Sequence, residues 1–229
     1  MDIEYPPLNH TDLTEQTCRV LRDKILRRQL KPGEKISIDE VAKGLGVSRT
    51  PVITALQQLA SEGLVEIVPR RGTFVTELTA RDVAELFDIR LMVELYAAES
   101  ILRSGKANQL LEAIDEAMAS MEQAVDDDDY GDYEAFITGD RDLHLALVKL
   151  TGNQHLIQIY SNLNVHIQVA RTHYLDSVEK GRQAQREHEA IVKAFRSGKL
   201  DEVREALHIH IGNVKARILE ILDERGGKL

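Results

Sequence analysis

Seven of the eight histidines lie beyond residue 140, and some of them have the spacing of a metal site. Asp140 and His144 stand at i and i+4 in a helical pattern, which puts both on one face. Asp142 is two positions from His144, about 200° round the helix, so it cannot share that face. His188 belongs to a later helical stretch, in Glu187-His188-Glu189. The last helical stretch offers His208 and His210, again two apart, so only one of them can face inward. Three imidazoles and one carboxylate from three helices suit Zn²⁺ first, with Ni²⁺ or Mn²⁺ as alternatives, and leave positions open for water or a ligand. Taken singly, each histidine is more often a surface or core residue, so the argument rests on the set.

Such a centre could activate water for hydrolysis. The chain has no His-Glu-x-x-His, no nucleophile elbow and no separate candidate for a general base. The expectation is therefore a binding or sensing site, not an enzyme.

A second group of residues could hold phosphate and read bases. In Ser48-Arg49-Thr50-Pro51-Val52, Ser48 can cap a helix by accepting from a first-turn amide, and Pro51 is tolerated where amides lack intrahelical partners. Arg49 and Thr50 then stand at the helix N-terminus, the end that enters the major groove in helix-turn-helix proteins. A bare cation is unfavourable at that end, which points to a phosphate or base partner for Arg49. About twenty residues on, Pro69-Arg70-Arg71-Gly72 reads as a basic hairpin tip, with Gly72 permitting positive φ and close backbone approach.

Composition divides along the same line. Residues 1–78 carry 11 Lys and Arg against 11 Asp and Glu, and residues 79–229 carry 18 against 27. The whole net charge of −9 thus belongs to the second part, and only the first could approach nucleic acid. At 229 residues and 43 % hydrophobic, the chain can build two modest cores. No apolar run reaches the roughly 18 residues of a membrane helix, and Met1-Asp2-Ile3-Glu4 has neither the positive flank nor the apolar core expected of a signal peptide. The single cysteine, Cys18, falls in a helical pattern as core filler and fits a reducing, cytoplasmic setting.

The elements that must position these residues follow from periodicity. Residues 1–10, with Pro6-Pro7, read as a flexible arm. A first helix runs from Leu13 to near Gln29, and Ser37-Ile38-Asp39-Glu40 has capping-box spacing before a short helix with Val41, Ala42 and Leu45. Gly44 and Gly46 allow a turn into a helix over 49–61. Runs at 64–68 and 73–75 flank the basic turn as strands. Residues 11–78 therefore form a winged helix-turn-helix. Residues 79–229 form an all-α bundle, with helices at about 80–103, 107–125, 130–150, 153–178, 182–196 and 200–223, the first capped near Thr79.

Lys31-Pro32-Gly33, Leu45-Gly46-Val47-Ser48-Arg49-Thr50-Pro51-Val52, Ala55-Leu56, Glu62-Gly63-Leu64-Val65 and Arg71-Gly72 resemble the GntR superfamily of bacterial transcription regulators. The helical second part is similar to the FadR-type branch, whose effector domain is called FCD. The resemblance covers about residues 14–217. It implies a homodimeric repressor that binds an inverted-repeat operator in double-stranded DNA and answers to a small carboxylate, with a divalent metal in the effector domain. It also implies the metal set Asp140, His144, His188 and His210. The family's histidine follows a glycine by about twelve positions, as His210 follows Gly198, and His210 continues the face of Val203 and Ala206.

Arg90 matches the family's Arg-x-x-x-Glu, though an intrahelical pair with Glu94 explains it equally. Arg171 is a second candidate fork for a carboxylate. Asn153 matches a family loop, or caps a helix. One departure stands out: Ile53 replaces an arginine that in many relatives contacts DNA.

Overall fold

The computed structural model describes residues 13–27, 29–126, 133–174 and 178–224, with backbone alone at 126, 133–134, 164–166, 168–174 and 178. The expected arm over 1–10 lies outside the described residues. The chain divides after Thr76 into two compact units.

In the first unit, α1 (Leu13–Leu26) buries Thr17, Cys18, Leu21 and Ile25 at helical spacing. α2 (Ile38–Leu45) starts where the Ser37 hydroxyl accepts from the Glu40 amide at 3.3 Å, and ends on Gly46 at φ 66°, a left-handed cap. α3 (Arg49–Ser61) turns Val52, Ala55, Leu56 and Leu59 inward. Its first residue matches the sequence expectation, but the cap does not: Ser48 holds the N-cap backbone conformation without a side-chain bond to an amide. Arg22 of α1 forks onto Glu62 at the end of α3, with Nη2 2.8 Å and Nε 3.2 Å from the carboxylate.

The sheet has three strands in the order β1-β3-β2, all antiparallel. β2 (Val65–Val68) and β3 (Gly72–Val75) form the wing in the register Val65↔Val75 to Val68↔Gly72. β1 (Lys35–Ile36) pairs Lys35 with Phe74 and Ile36 with Thr73, and the sequence expectation lacked it. Two residues are too few to show alternation. At the wing tip Arg70 itself takes φ 64° and Gly72 φ 120°. The left-handed turn expected at Gly72 thus extends to a residue with a side chain, at a cost of about 1–2 kcal/mol.

The elements of the second unit among its described residues are helices, with short turns at their described connections: α4 (Ala80–Arg103), α5 (Ala107–Asp126), α6 (Tyr133–Lys149), α7 (Gln154–Tyr174), α8 (Val178–Ser197) and α9 (Leu200–Glu224). Thr79 and Asp82 form a reciprocal capping box at the start of α4. The long helices α4 and α9 pack together, α8 lies on α9, and α6 bridges α5 and α7. Phe87, Phe136, Tyr160 and Phe195 fill the space between them. α6 comes close to α5 at Gly139, where a Cβ would stand 2.6 Å from Met121 Cγ and 2.9 Å from the Ala117 carbonyl oxygen. That close approach sets the depth of the next residue, Asp140. No helix among the described residues is long and apolar enough to cross a membrane.

Candidate metal centre and nucleic-acid interface

α6, α8 and α9 bring Asp140, His144, His188 and His210 to one buried point, where four potential ligand atoms lie within 4.8 Å of one another. Asp140 and His144 reach it from one face of α6 as the i, i+4 spacing requires. His188 Nε2 is 3.1 Å from Asp140 Oδ1, and His144 Nε2 is 3.9 Å from the same oxygen. His144 Nε2 and His210 Nε2 approach to 3.1 Å. The His144 and His210 rings stack 5.0 Å apart at 14°, and His188 tilts against His210 at 4.6 Å. Asp142 and His208, the neighbours two positions away, are exposed.

Two carboxylates that sequence reasoning missed fix how these rings face. Glu94 Oε2 lies 2.8 Å from His144 Nδ1, and Glu187 Oε2 lies 3.0 Å from His210 Nδ1. An ionised carboxylate only accepts, so each Nδ1 carries a proton and donates it. In the neutral ring each Nε2 is then a lone pair. Two lone pairs 3.1 Å apart cannot bond to each other; a cation between them satisfies both. Ligand atoms on a common ion at about 2.0–2.2 Å are about 3–4 Å apart, and the approaches of 3.1, 3.1 and 3.9 Å within the cluster fall in that range. Neither ring nitrogen of His188 has hydrogen-bond geometry to a partner among the described residues, the 3.1 Å approach of Nε2 to Asp140 Oδ1 included, although the residue is fully buried. A buried imidazole in that condition is costly unless a metal takes its lone pair.

The support extends outward. Arg90 Nε donates to Glu94 Oε1 at 2.7 Å and Tyr160 donates to the same oxygen at 2.6 Å. Arg217 and Asn213 (2.9 Å) both donate to Glu187. Burial alone would raise the Glu94 carboxyl; the neighbouring His144 and the Arg90 guanidinium outweigh it and hold the group well below the usual carboxylate range. Burial lowers His144 to about 4 against the opposing pull of Glu94, so its ring is neutral and able to ligate at neutral pH. The sequence signal for Glu94 was its i+4 spacing from Arg90. For Glu187 there was none, because Glu187 and Glu189 flank His188 alike.

Arg90 is itself fully buried and its Nη2 lies 3.5 Å from His210 Nε2. Its Nη1 has no hydrogen-bond partner among the described residues. The intrahelical pairing with Glu94 is thus formed, and it uses Nε rather than Nη1. Asn153 is exposed and caps α7, its Oδ1 accepting from the Leu156 amide at 3.1 Å. Arg171 lies on α7, with its side chain outside the described residues.

In the first unit, Ser48, Arg49, Thr50, Arg70 and Arg71 are exposed and Gly72 partly so. Arg49 Nη1 is 3.3 Å from Asp39 Oδ1, and the Arg71 guanidinium lies over the Phe74 ring at 5.8 Å. The exposed Arg49–Asp39 pair is weak enough to exchange for a phosphate.

Comparison with known proteins matches residues 13–75 to the bacterial regulatory proteins of the gntR family and residues 85–213 to the FCD domain. The chain is 27 % identical over 221 residues to the HTH-type transcriptional repressor RspR of Escherichia coli, covering 95 % of this chain and 94 % of that one. It is 25 % identical over 208 residues to the gluconate operon transcriptional repressor of Bacillus licheniformis, covering 88 % and 83 %. Its fold is similar to that of E. coli McbR/YncC, with a TM-score of 0.74 at 23 % identity over 94 % of this chain and 99 % of that one.

Proposed function

Because this chain belongs to the GntR family of bacterial transcriptional regulators and carries an FCD domain, we propose that it is a metal-dependent repressor answering to a small organic acid. The observation that carries the metal is the 3.1 Å approach of two imidazole nitrogens whose opposite nitrogens both donate to carboxylates. Asp140, His144, His188 and His210 would hold one divalent ion, Zn²⁺ before Ni²⁺ or Mn²⁺. A bound ion of this kind polarises and fixes a carboxylate oxygen. Arg90 supplies a cation beside the cluster and a spare Nη1 donor for the same anion. Arg171 remains a second candidate for that carboxylate.

DNA binding is assigned to Arg49 and Thr50 on α3 and to Arg70, Arg71 and Gly72 on the wing. One recognition helix makes too few contacts for operator affinity. A homodimer placing two of them about 34 Å apart in successive major grooves of an inverted repeat meets the need. Repressor activity is borne by the names of the relatives.

A second reading has its own support. All four ligands are buried, which suits an ion that is structural or is itself the signal. A thermal-shift screen of small carboxylates, run on metal-loaded and chelated protein, separates the two. Under the favoured reading an acid stabilises the fold, and so raises the melting temperature, only when metal is present; at 100 times its Kd the stabilisation is about 2.7 kcal/mol. If chelation melts the helical unit and no acid shifts the loaded protein, the ion is structural or sensed.

A further inference from the structure

We infer that Ile53 reads sequence, packing against the 5-methyl group of a thymine at one fixed position in each half-site. The inference rests on the assignment of α3 as the DNA-recognition helix. Between Arg49 and Gln58 the exposed residues of α3 are Arg49, Thr50, Ile53, Thr54, Gln57 and Gln58. Five of these can exchange hydrogen bonds with phosphates or base edges; Ile53 can exchange none. Single exposed apolar residues are common. What distinguishes Ile53 is its place, four residues after Arg49 and three after Thr50, on the face they share.

The core does not account for it. Val52, Ala55, Leu56 and Leu59 cover the inward face with at most 1 % exposure each, whereas Ile53 is 39 % exposed. Helix propensity does not account for it either, since a β-branched residue is a poorer helix former than Ala or Leu. Thr54, its neighbour, donates its hydroxyl to the Thr50 carbonyl at 3.1 Å, so that proton is committed to the helix backbone.

The major-groove edge of a base pair presents donors, acceptors and one apolar feature, the thymine methyl. Ile53 laid on a guanine, cytosine or adenine edge would strip water from polar atoms and return no bond. On thymine it covers a methyl group and removes two apolar surfaces from water together. One side chain therefore favours T·A and disfavours the other pairs at that position.

The test uses the full-length dimer and a duplex pool with a randomised centre. After selection, each thymine of the enriched half-site is replaced in turn by deoxyuridine, which lacks only the methyl, and affinity is measured by fluorescence anisotropy. Wild type should lose about fourfold at one position, and about fifteenfold when both half-sites are changed. Ile53→Val should keep the penalty. Ile53→Ala, a change at an exposed helical position, should bind thymine and deoxyuridine duplexes alike. Equal tolerance of deoxyuridine at every position by wild type, or an unchanged penalty in Ile53→Ala, overturns the inference alone. A selection that enriches no sequence overturns it together with the DNA-binding assignment beneath it.

Discussion

Arg49 on α3 stands 3.3 Å from Asp39 with 64 % and 72 % of the two side chains in solvent, whereas Arg90 on α4 stands 2.7 Å from Glu94 with neither exposed. Water screens the first pair, so its net contribution is about 0–1 kcal/mol and a phosphate can displace the aspartate. The second pair has lost its hydration, and neither member can be removed without leaving a buried charge. The two units thus prepare for their ligands in opposite ways. The winged helix keeps its charges in water and lets DNA select their positions. The helical unit commits the polar atoms around its histidine cluster to each other, and there the His188 ring nitrogens and Arg90 Nη1 form no hydrogen bond among the described residues.

Removing an exposed charge should therefore damage function and spare the fold. Arg49→Ala is expected to cost about 1–3 kcal/mol per half-site, about twice that for the dimer on its operator, with metal content and melting temperature unchanged. Anisotropy titration beside a thermal melt checks both halves. An equal loss of stability would break the comparison.

Removing a buried charge should instead damage the fold itself. Glu94→Ala leaves Arg90 without its carboxylate and is expected to destabilise the helical unit by about 3–5 kcal/mol, measured by denaturant unfolding. The same network predicts a direction with pH for metal-free protein. His144 titrates near 4 in the fold, below its ordinary 6.5, and Glu94 is depressed as well. The unfolded chain then binds more protons than the native one in acid. Stability falls as pH drops, beginning near 6.5 for the histidine and continuing below the usual carboxylate range for Glu94. A melting temperature flat between pH 7 and 4 would contradict this.

A smaller effect is expected one bond further from the ion. Glu187→Gln keeps the side-chain size but weakens the acceptor that orients His210, and should lower metal affinity about 10- to 100-fold in competition with a chromogenic chelator. Unchanged affinity would mean that the ring is held by packing alone.

Much of this was legible in the sequence because it depends on period. Helix limits at 49–61 and 80–103 follow from apolar spacing and caps; the same 3.6-residue period sets Asp140 apart from Asp142 and, together with the family's spacing from Gly198, His210 apart from His208. What stayed hidden depends on tertiary company. Glu94 and Glu187 are ordinary helical acids until α6 brings His144 to the first and α9 brings His210 to the second. β1 exists only because β3 offers Lys35 and Ile36 a partner. Ser48 has the right type for a cap and does not make the bond, since residue type permits a hydrogen bond without requiring it.

The metal set is the central claim, and the pair His208 and His210 tests it most directly, because both are histidines on one helix and only one is buried. Metal content of purified wild type, His208→Ala and His210→Ala, measured by inductively coupled plasma mass spectrometry, gives the answer. Wild type and His208→Ala should each carry about one divalent ion per chain, and His210→Ala should carry almost none, as the fourfold ligand set requires. Retention by His210→Ala with loss in His208→Ala, or wild-type content in both variants, would contradict the account.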